Sequence, residues 1–190
     1  MTRHDNHHLE KGSLISLMSV FSDEGWTVQQ ITDAHGENLL VRIVENGIAT
    51  PYYFFVHASS TKNINGHRSA SGGLEKHVRA ATAKMWTELA QPLFIMHWDE
   101  RLKTWWWGHA QAFLHSDEGR DRMTRGHNTI SIPLPFELTA RNLATLNSIV
   151  REVTTWMTRA YQSRILLERH SEGPDLAKFT VAVAALVDIS

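Results

Sequence analysis

Tyr52-Tyr53-Phe54-Phe55-Val56-His57-Ala58-Ser59-Ser60 is the stretch that decides the fold. It is rich in aromatic and β-branched residues, with Pro51 before it and a polar run after it. That composition predicts a strand buried on at least one face. Alternate residues of a strand share a face, so His57 and Ser59 project together, away from Val56 and Ala58. A polar pair at the end of a buried strand is where an α/β enzyme places chemistry.

Upstream of this strand, Leu39 to Val44 reads as another strand, with the hairpin signal Glu45-Asn46-Gly47 between the two. The pair is therefore expected to be antiparallel. Trp26 to Ile31 alternates like a first strand, and Thr32 to Gly36 carries turn chemistry. Before it, Leu14, Leu17, Met18 and Phe21 recur at helical spacing between Leu9 and Glu24, and Gly25 ends that helix. Residues 1–8, with His4, His7 and His8, read as a flexible N-terminus rather than a metal cluster.

Downstream, Ser59 to Gly73 reads as a mobile loop carrying Lys62, His67 and Arg68. Leu74 to Ala90 reads as a helix with Leu74, Val78, Ala81, Met85 and Leu89 along one face. Pro92 to Trp98 is a continuous apolar run. After a crossover helix, such a run predicts a strand buried on both faces and parallel to an earlier one. Thr104 to Ala110 reads as another strand, with Trp106 buried and one or both of its Trp neighbours exposed. His115 to Asn128 reads as a solvated loop, because Arg120, Arg122 and Arg125 are nearly balanced by Asp117, Glu118 and Asp121. Thr129 to Pro133 is a short edge strand.

From Thr139 to Arg169 a long helix is expected, with Leu143, Leu146, Val150, Val153, Met157 and Ala160 at steps of three and four. That seam is expected to pack on the sheet; the other reading places part of it, with Trp156 and Tyr161, against a partner chain. Lys178 to Ile189 reads as a last strand or a short helix. Residues 9–190 show no repeat and no domain boundary, so a single α/β domain is expected, with a central mixed β-sheet flanked by helices.

The 190 residues suit one such domain, and 42% hydrophobic with 21% charged residues is ordinary for a globular protein. No apolar run is long enough to span a bilayer, and the N-terminal residues have no signal-peptide core, so a cytoplasmic location without membrane contact is expected. The absence of cysteine excludes disulfides and thiolate metal sites. A formal net charge of -1 means that nucleic-acid binding would need a local basic patch. Seven Trp residues exceed what a core of this size asks for, which points some of them at an interface.

Several short motifs, taken in order, carry a resemblance. They are Glu10 with Gly25, Asp33-Ala34-His35-Gly36-Glu37-Asn38-Leu39, and Phe55-Val56-His57-Ala58-Ser59-Ser60-Thr61. Beyond them come Pro92-Leu93-Phe94-Ile95-Met96-His97-Trp98-Asp99, Trp105-Trp106 and Ile132-Pro133. Over roughly residues 8–150 this pattern resembles the restriction-endonuclease-like core of the PD-(D/E)XK nuclease superfamily. It looks most like the bacterial domain-of-unknown-function branch found with defence and mobile-element proteins. The resemblance implies a core of helix, strand, hairpin strands, helix and strand.

In an active member a carboxylate ends the second strand, and a Glu or Gln and a Lys lie two apart on the third. The carboxylate and the Glu or Gln hold Mg²⁺, which activates a water, and the Lys helps position that water and stabilises charge near the scissile phosphate. The matching positions here are Asn38, with Glu37 adjacent, then His57 and Ser59. A neutral imidazole is a poor Mg²⁺ ligand, and a hydroxyl supplies no charge. The remnant site is therefore Glu10, Glu37, Asn38, His57, Ser59 and Lys62, with no catalytic residue and no cofactor expected.

The expected function is a catalytically degenerate nuclease-like domain that binds or scaffolds. Its partner would be a protein, a second copy of the chain, or nucleic acid in the remnant cleft. The alternative is a divergent endonuclease using Glu10, Glu37, His57 and Lys62, with Mg²⁺ or Mn²⁺ held by Glu37 and His57. Ser59 lies in no G-x-S-x-G elbow, and no glycine run matches a P-loop. His97 and His109 read as hydrogen-bonded core or rim residues.

Overall fold

A computed structural model describes residues 3–31, 36–61, 67–68 and 73–170, with backbone alone for 3–11 and 166–170. The chain divides into two compact units, Met1–Val150 and Arg151–Ser190. The first holds the sheets. Of the second, the described part is helical.

The opening helix α1 (Arg3–Asp23) begins before the expected Leu9, taking in Arg3 to His8. Its end follows the glycine: Gly25 has φ 83° and its N–H bonds to the Ser22 carbonyl at 2.9 Å. Strand β1 (Thr27–Gln30) follows, then β2 (Leu39–Glu45) and β3 (Ile48–Thr61). The β2–β3 turn places Asn46 at φ 51° and Gly47 at φ 75°, the left-handed pair a two-residue hairpin turn requires. The pairing is antiparallel, with Leu39 opposite Val56 and Val41 opposite Phe54.

The expected helix from Leu74 to Ala90 is two elements. Its first part is strand β4 (Glu75–Arg79), and only Ala80–Thr87 is helical (α2). The i, i+4 pair Leu74 and Val78 fits a helix face, but both also lie on one face of a strand. Pairing decides the outcome, because β4 runs antiparallel to β7 (Thr129–Pro133) with Val78 opposite Ile130.

Strand β5 (Leu93–Asp99) lies parallel to β3, with His57 opposite Ile95 and Ser59 opposite His97. Strand β6 (Thr104–His109) returns antiparallel to β5. The alternation in β6 is the reverse of that expected: Trp105 and Trp107 are buried and Trp106 is half-exposed. The core face of β5 carries Phe94 and Met96, and Met96 lies opposite Trp107.

The expected loop His115 to Asn128 is also replaced. After α3 (Ala110–Leu114), helix α4 (Asp117–Thr124) starts at Ser116, whose Oγ accepts the Gly119 N–H at 3.1 Å. Asp117 and Glu118 fill its first turn, where acids suit the helix dipole. Arg122 joins Glu118 at 2.6 Å and Glu75 at 3.2 Å, so its charge is spent on tying α4 to β4.

The main sheet has six strands in the order β1-β2-β3-β5-β6-β8, where β8 is Phe136–Glu137, and only β3–β5 is parallel. A two-stranded sheet, β4-β7, stands apart. This is the expected mixed α/β architecture, a central mixed sheet flanked by helices. It realises the order helix, strand, hairpin strands, helix, strand, with β4 inserted before α2.

A long helix, α5 (Ala140–His170), follows the sheets. One side of the main sheet is covered by α1 and the start of α5, with Leu17, Phe21, Phe54, Phe94, Leu143, Leu146 and Val150 in one cluster. The other side meets α2, α3 and the β4-β7 sheet through Trp86, Leu93, Ile95, Leu114 and Ile132. A Cβ on Gly108 of β6 would lie 2.5 Å from the Pro133 carbonyl oxygen, so only glycine permits that approach of the two sheets. The segment Lys178 to Ile189 lies outside the described residues.

Candidate functional site

The side of β3 that carries His57 and Ser59 faces the α2 and β4 layer. Around these two residues gather Gly36, Glu37, Asn38, His67, Lys76, Trp86 and His97. Strand alternation supplies His57 and Ser59 from β3 and His97 from β5, all on one face. The loop before β2 supplies Gly36, Glu37 and Asn38. Lys76 shares a face of β4 with Leu74 and Val78, which are buried.

The four expected site residues whose side chains are described, Glu37, Asn38, His57 and Ser59, each bond to another group of the protein. The Ala58 N–H donates to Asn38 Oδ1 at 2.6 Å, and the Asn38 N–H donates to the Val56 carbonyl at 2.7 Å. His57 Nδ1 donates to the Gly36 carbonyl. Ser59 Oγ meets His97 Nδ1 at 2.8 Å. Trp86 Nε1 donates to Glu37 Oε1 at 3.0 Å, and Glu37 is 6% exposed.

The His57 ring also lies 5.2 Å from the Trp86 ring, so one tryptophan covers both Glu37 and His57. Asp99, at the end of β5, accepts the N–H groups of Arg101 and Leu102 through Oδ1, which makes it the cap of the β5–β6 turn.

The electrostatics favour uncharged imidazoles. Burial lowers the pKa of His57 to about 4, with a smaller contribution from Lys76 in the same direction. Burial, then Lys76, His67 and His57, lowers His97 to about 3. His67 is lowered by burial and by Lys76. His109, stacked on Phe94 at 5.1 Å, is lowered by burial to about 4. At neutral pH the described imidazoles of the site are therefore uncharged.

The structure brings together four of the six residues expected from the sequence: Glu37, Asn38, His57 and Ser59. Of the other two, Glu10 lies on α1, where the backbone alone is described, and Lys62 lies outside the described residues. Among the described residues no group of three or more His, Asp and Glu is placed to hold a metal ion. His97, read as a core histidine, is one, and it is also the partner of Ser59.

Three further members went unseen. Lys76 was hidden because its segment reads as helix, and the strand that places it is set by a partner some 55 residues away along the chain, Ile132 opposite Lys76. His67 was placed in a loop, with no periodicity to orient it. Trp86 carries no motif at all; only its distance to Glu37 reveals it.

No protein-family model matches the chain, and no curated protein does. A solved structure described as a nuclease from a fusselovirus is similar to it at 14% identity and a TM-score of 0.41, over 84% of this chain and 95% of that one. No described helix is long and apolar enough to cross a membrane.

Proposed function

We propose that this chain is a nuclease-like domain that no longer hydrolyses nucleic acid and works as a binding or scaffolding subunit. Its partner is a protein or a nucleic acid, and its setting a bacterial defence or mobile-element system. The observation that carries this reading is the inward bonding of the remnant site. Where an active nuclease needs carboxylate oxygens open to Mg²⁺ and a free ammonium group, Asn38, His57 and Ser59 hold backbone groups and one another.

Glu37 is the carboxylate that could replace Asn38, and one of its oxygens already accepts from Trp86 in a buried setting. An amide, a neutral imidazole and a hydroxyl together cannot neutralise a hard dication. What the arrangement does well is tie Gly36, Glu37 and Asn38 to β3 and α2.

The test is incubation of the purified chain with DNA and with RNA in Mg²⁺ or Mn²⁺. The reading predicts no cleavage above a blank. Cleavage that disappears in Glu37→Ala or His57→Ala would overturn it in favour of the divergent endonuclease.

A further inference from the structure

Three imidazoles in the site share one pattern of bonding. His57 donates through Nδ1 to the Gly36 carbonyl, His97 meets Ser59 through Nδ1 at 2.8 Å, and His67 bonds to the Glu75 backbone. The remaining nitrogens, His57 Nε2, His97 Nε2 and His67 Nδ1, are buried and have no partner among the described residues. A buried polar atom without a partner is costly, and each such atom calls for an explanation. One ring nitrogen tied to a protein oxygen and the other left bare is how metal-ligating histidines are held, because the outer oxygen fixes tautomer and orientation.

Two of these rings are close together. The His67 and His97 centroids lie 4.6 Å apart. Two imidazoles bound to one ion at about 2.1 Å place their ring centres roughly 4.5–5.5 Å apart as the angle at the metal opens from square to tetrahedral. His97 is 1% exposed, so its bare nitrogen is withdrawn from water.

We infer that His67 and His97 form a two-imidazole site for a divalent transition ion of the zinc class. The remaining coordination positions fall to water or to an anionic ligand, since no third His, Asp or Glu among the described residues is placed to join. Neutral imidazole selects Zn²⁺, Ni²⁺ or Cu²⁺ over Mg²⁺, so this ion differs in kind from the one a hydrolytic site would hold. Lys76 lies near enough to both rings to lower their proton affinity, and the same charge weakens a bound cation. The inference stands whether or not the chain cleaves nucleic acid.

The experiment is a calorimetric Zn²⁺ titration of the full chain carrying His4→Ala, His7→Ala and His8→Ala, which removes the terminal histidines as competing ligands. One equivalent of Zn²⁺ is expected to bind, with Mg²⁺ unable to displace it. His67→Ala, checked for folding by circular dichroism, should weaken binding at least about tenfold, because even altering the outer partner of a ligand costs about 10–100-fold. Lys76→Met should tighten it, a reading that does not depend on the His67 variant folding. Unchanged affinity in His67→Ala, no tightening in Lys76→Met, or equal competition by Mg²⁺ would each overturn the inference.

Discussion

The two faces of the main sheet use the same strands to opposite ends. On one face β3 presents Phe54 and Val56, and β5 presents Phe94 and Met96. Their rings pack edge-to-face, Phe54 with Phe21 at 5.7 Å and Phe94 with Trp107 at 5.6 Å. On the other face the same strands present His57, Ser59 and His97 beside Ile95 and Leu93. The first face is packed mainly by apolar and aromatic side chains, and its stability comes from burial. The second mixes apolar contacts with polar groups that must each find a partner, and His57 Nε2, His97 Nε2 and Trp106 Nε1 have none among the described residues. A fold can keep its scaffold on one face while the chemistry of the other drifts, because the two faces are coupled only through the backbone they share.

That contrast can be broken or sharpened by substitution. The largest effect should come from the apolar face: Phe54→Ala removes a fully buried ring and is expected to cost about 3–5 kcal/mol, read as a lower urea midpoint. A loss under about 1 kcal/mol would mean that this face is not the scaffold.

The polar face should instead reveal itself through pH. His57 and His97 have folded pKa values of about 4 and about 3, against 6.5 for a free imidazole. Above pH 6.5 neither state binds the proton and their contribution is whole. As pH falls below 6.5 the unfolded chain takes up protons that the folded chain refuses. Stability therefore drops by up to about 1.4 kcal/mol per pH unit for each histidine until the folded values are reached. Urea unfolding at pH 7.5 and pH 5 checks this, and His57→Asn should flatten the slope.

A smaller effect is expected from Ser59→Ala, which strands His97 Nδ1 in a buried setting at a cost of about 1–3 kcal/mol in the same assay. The smallest belongs to the second unit. Trp156, 71% exposed, should change stability by no more than about 0.5 kcal/mol when replaced by Ala. A larger loss that depends on protein concentration would instead mark Trp156 as a contact with another copy of the chain.

The main sheet was readable from the sequence because its strands announce themselves locally. Tyr52 to Ser60 and Pro92 to Trp98 are apolar runs between breakers, and Asn46-Gly47 is a turn that only one geometry suits. The β4-β7 sheet was not readable. Leu74 and Val78 satisfy a helix and a strand equally, and the choice falls to a partner strand distant in sequence. Helix α4 was readable in principle, since Ser116 with Asp117 and Glu118 is a helix-start signal, but the balanced charges after it masked the signal.

In the site, His57 and Ser59 followed from strand alternation, and Asn38 from the resemblance alone. Their companions Trp86, His67 and Lys76 did not, because a side chain that joins a site from another layer leaves no spacing to read. The reversed burial of Trp105, Trp106 and Trp107 shows the same limit: alternation predicts that neighbours differ, while the packing of β5 decides which of them goes inside.

The measurement that bears most directly on the proposed absence of hydrolysis is the cleavage assay on the unaltered chain, with DNA and RNA and with Mg²⁺ or Mn²⁺ at neutral pH. Inward-bonded Asn38, His57 and Ser59 predict intact substrate after prolonged incubation. Metal-dependent cleavage that vanishes in His57→Ala, with the variant still folded, would contradict it.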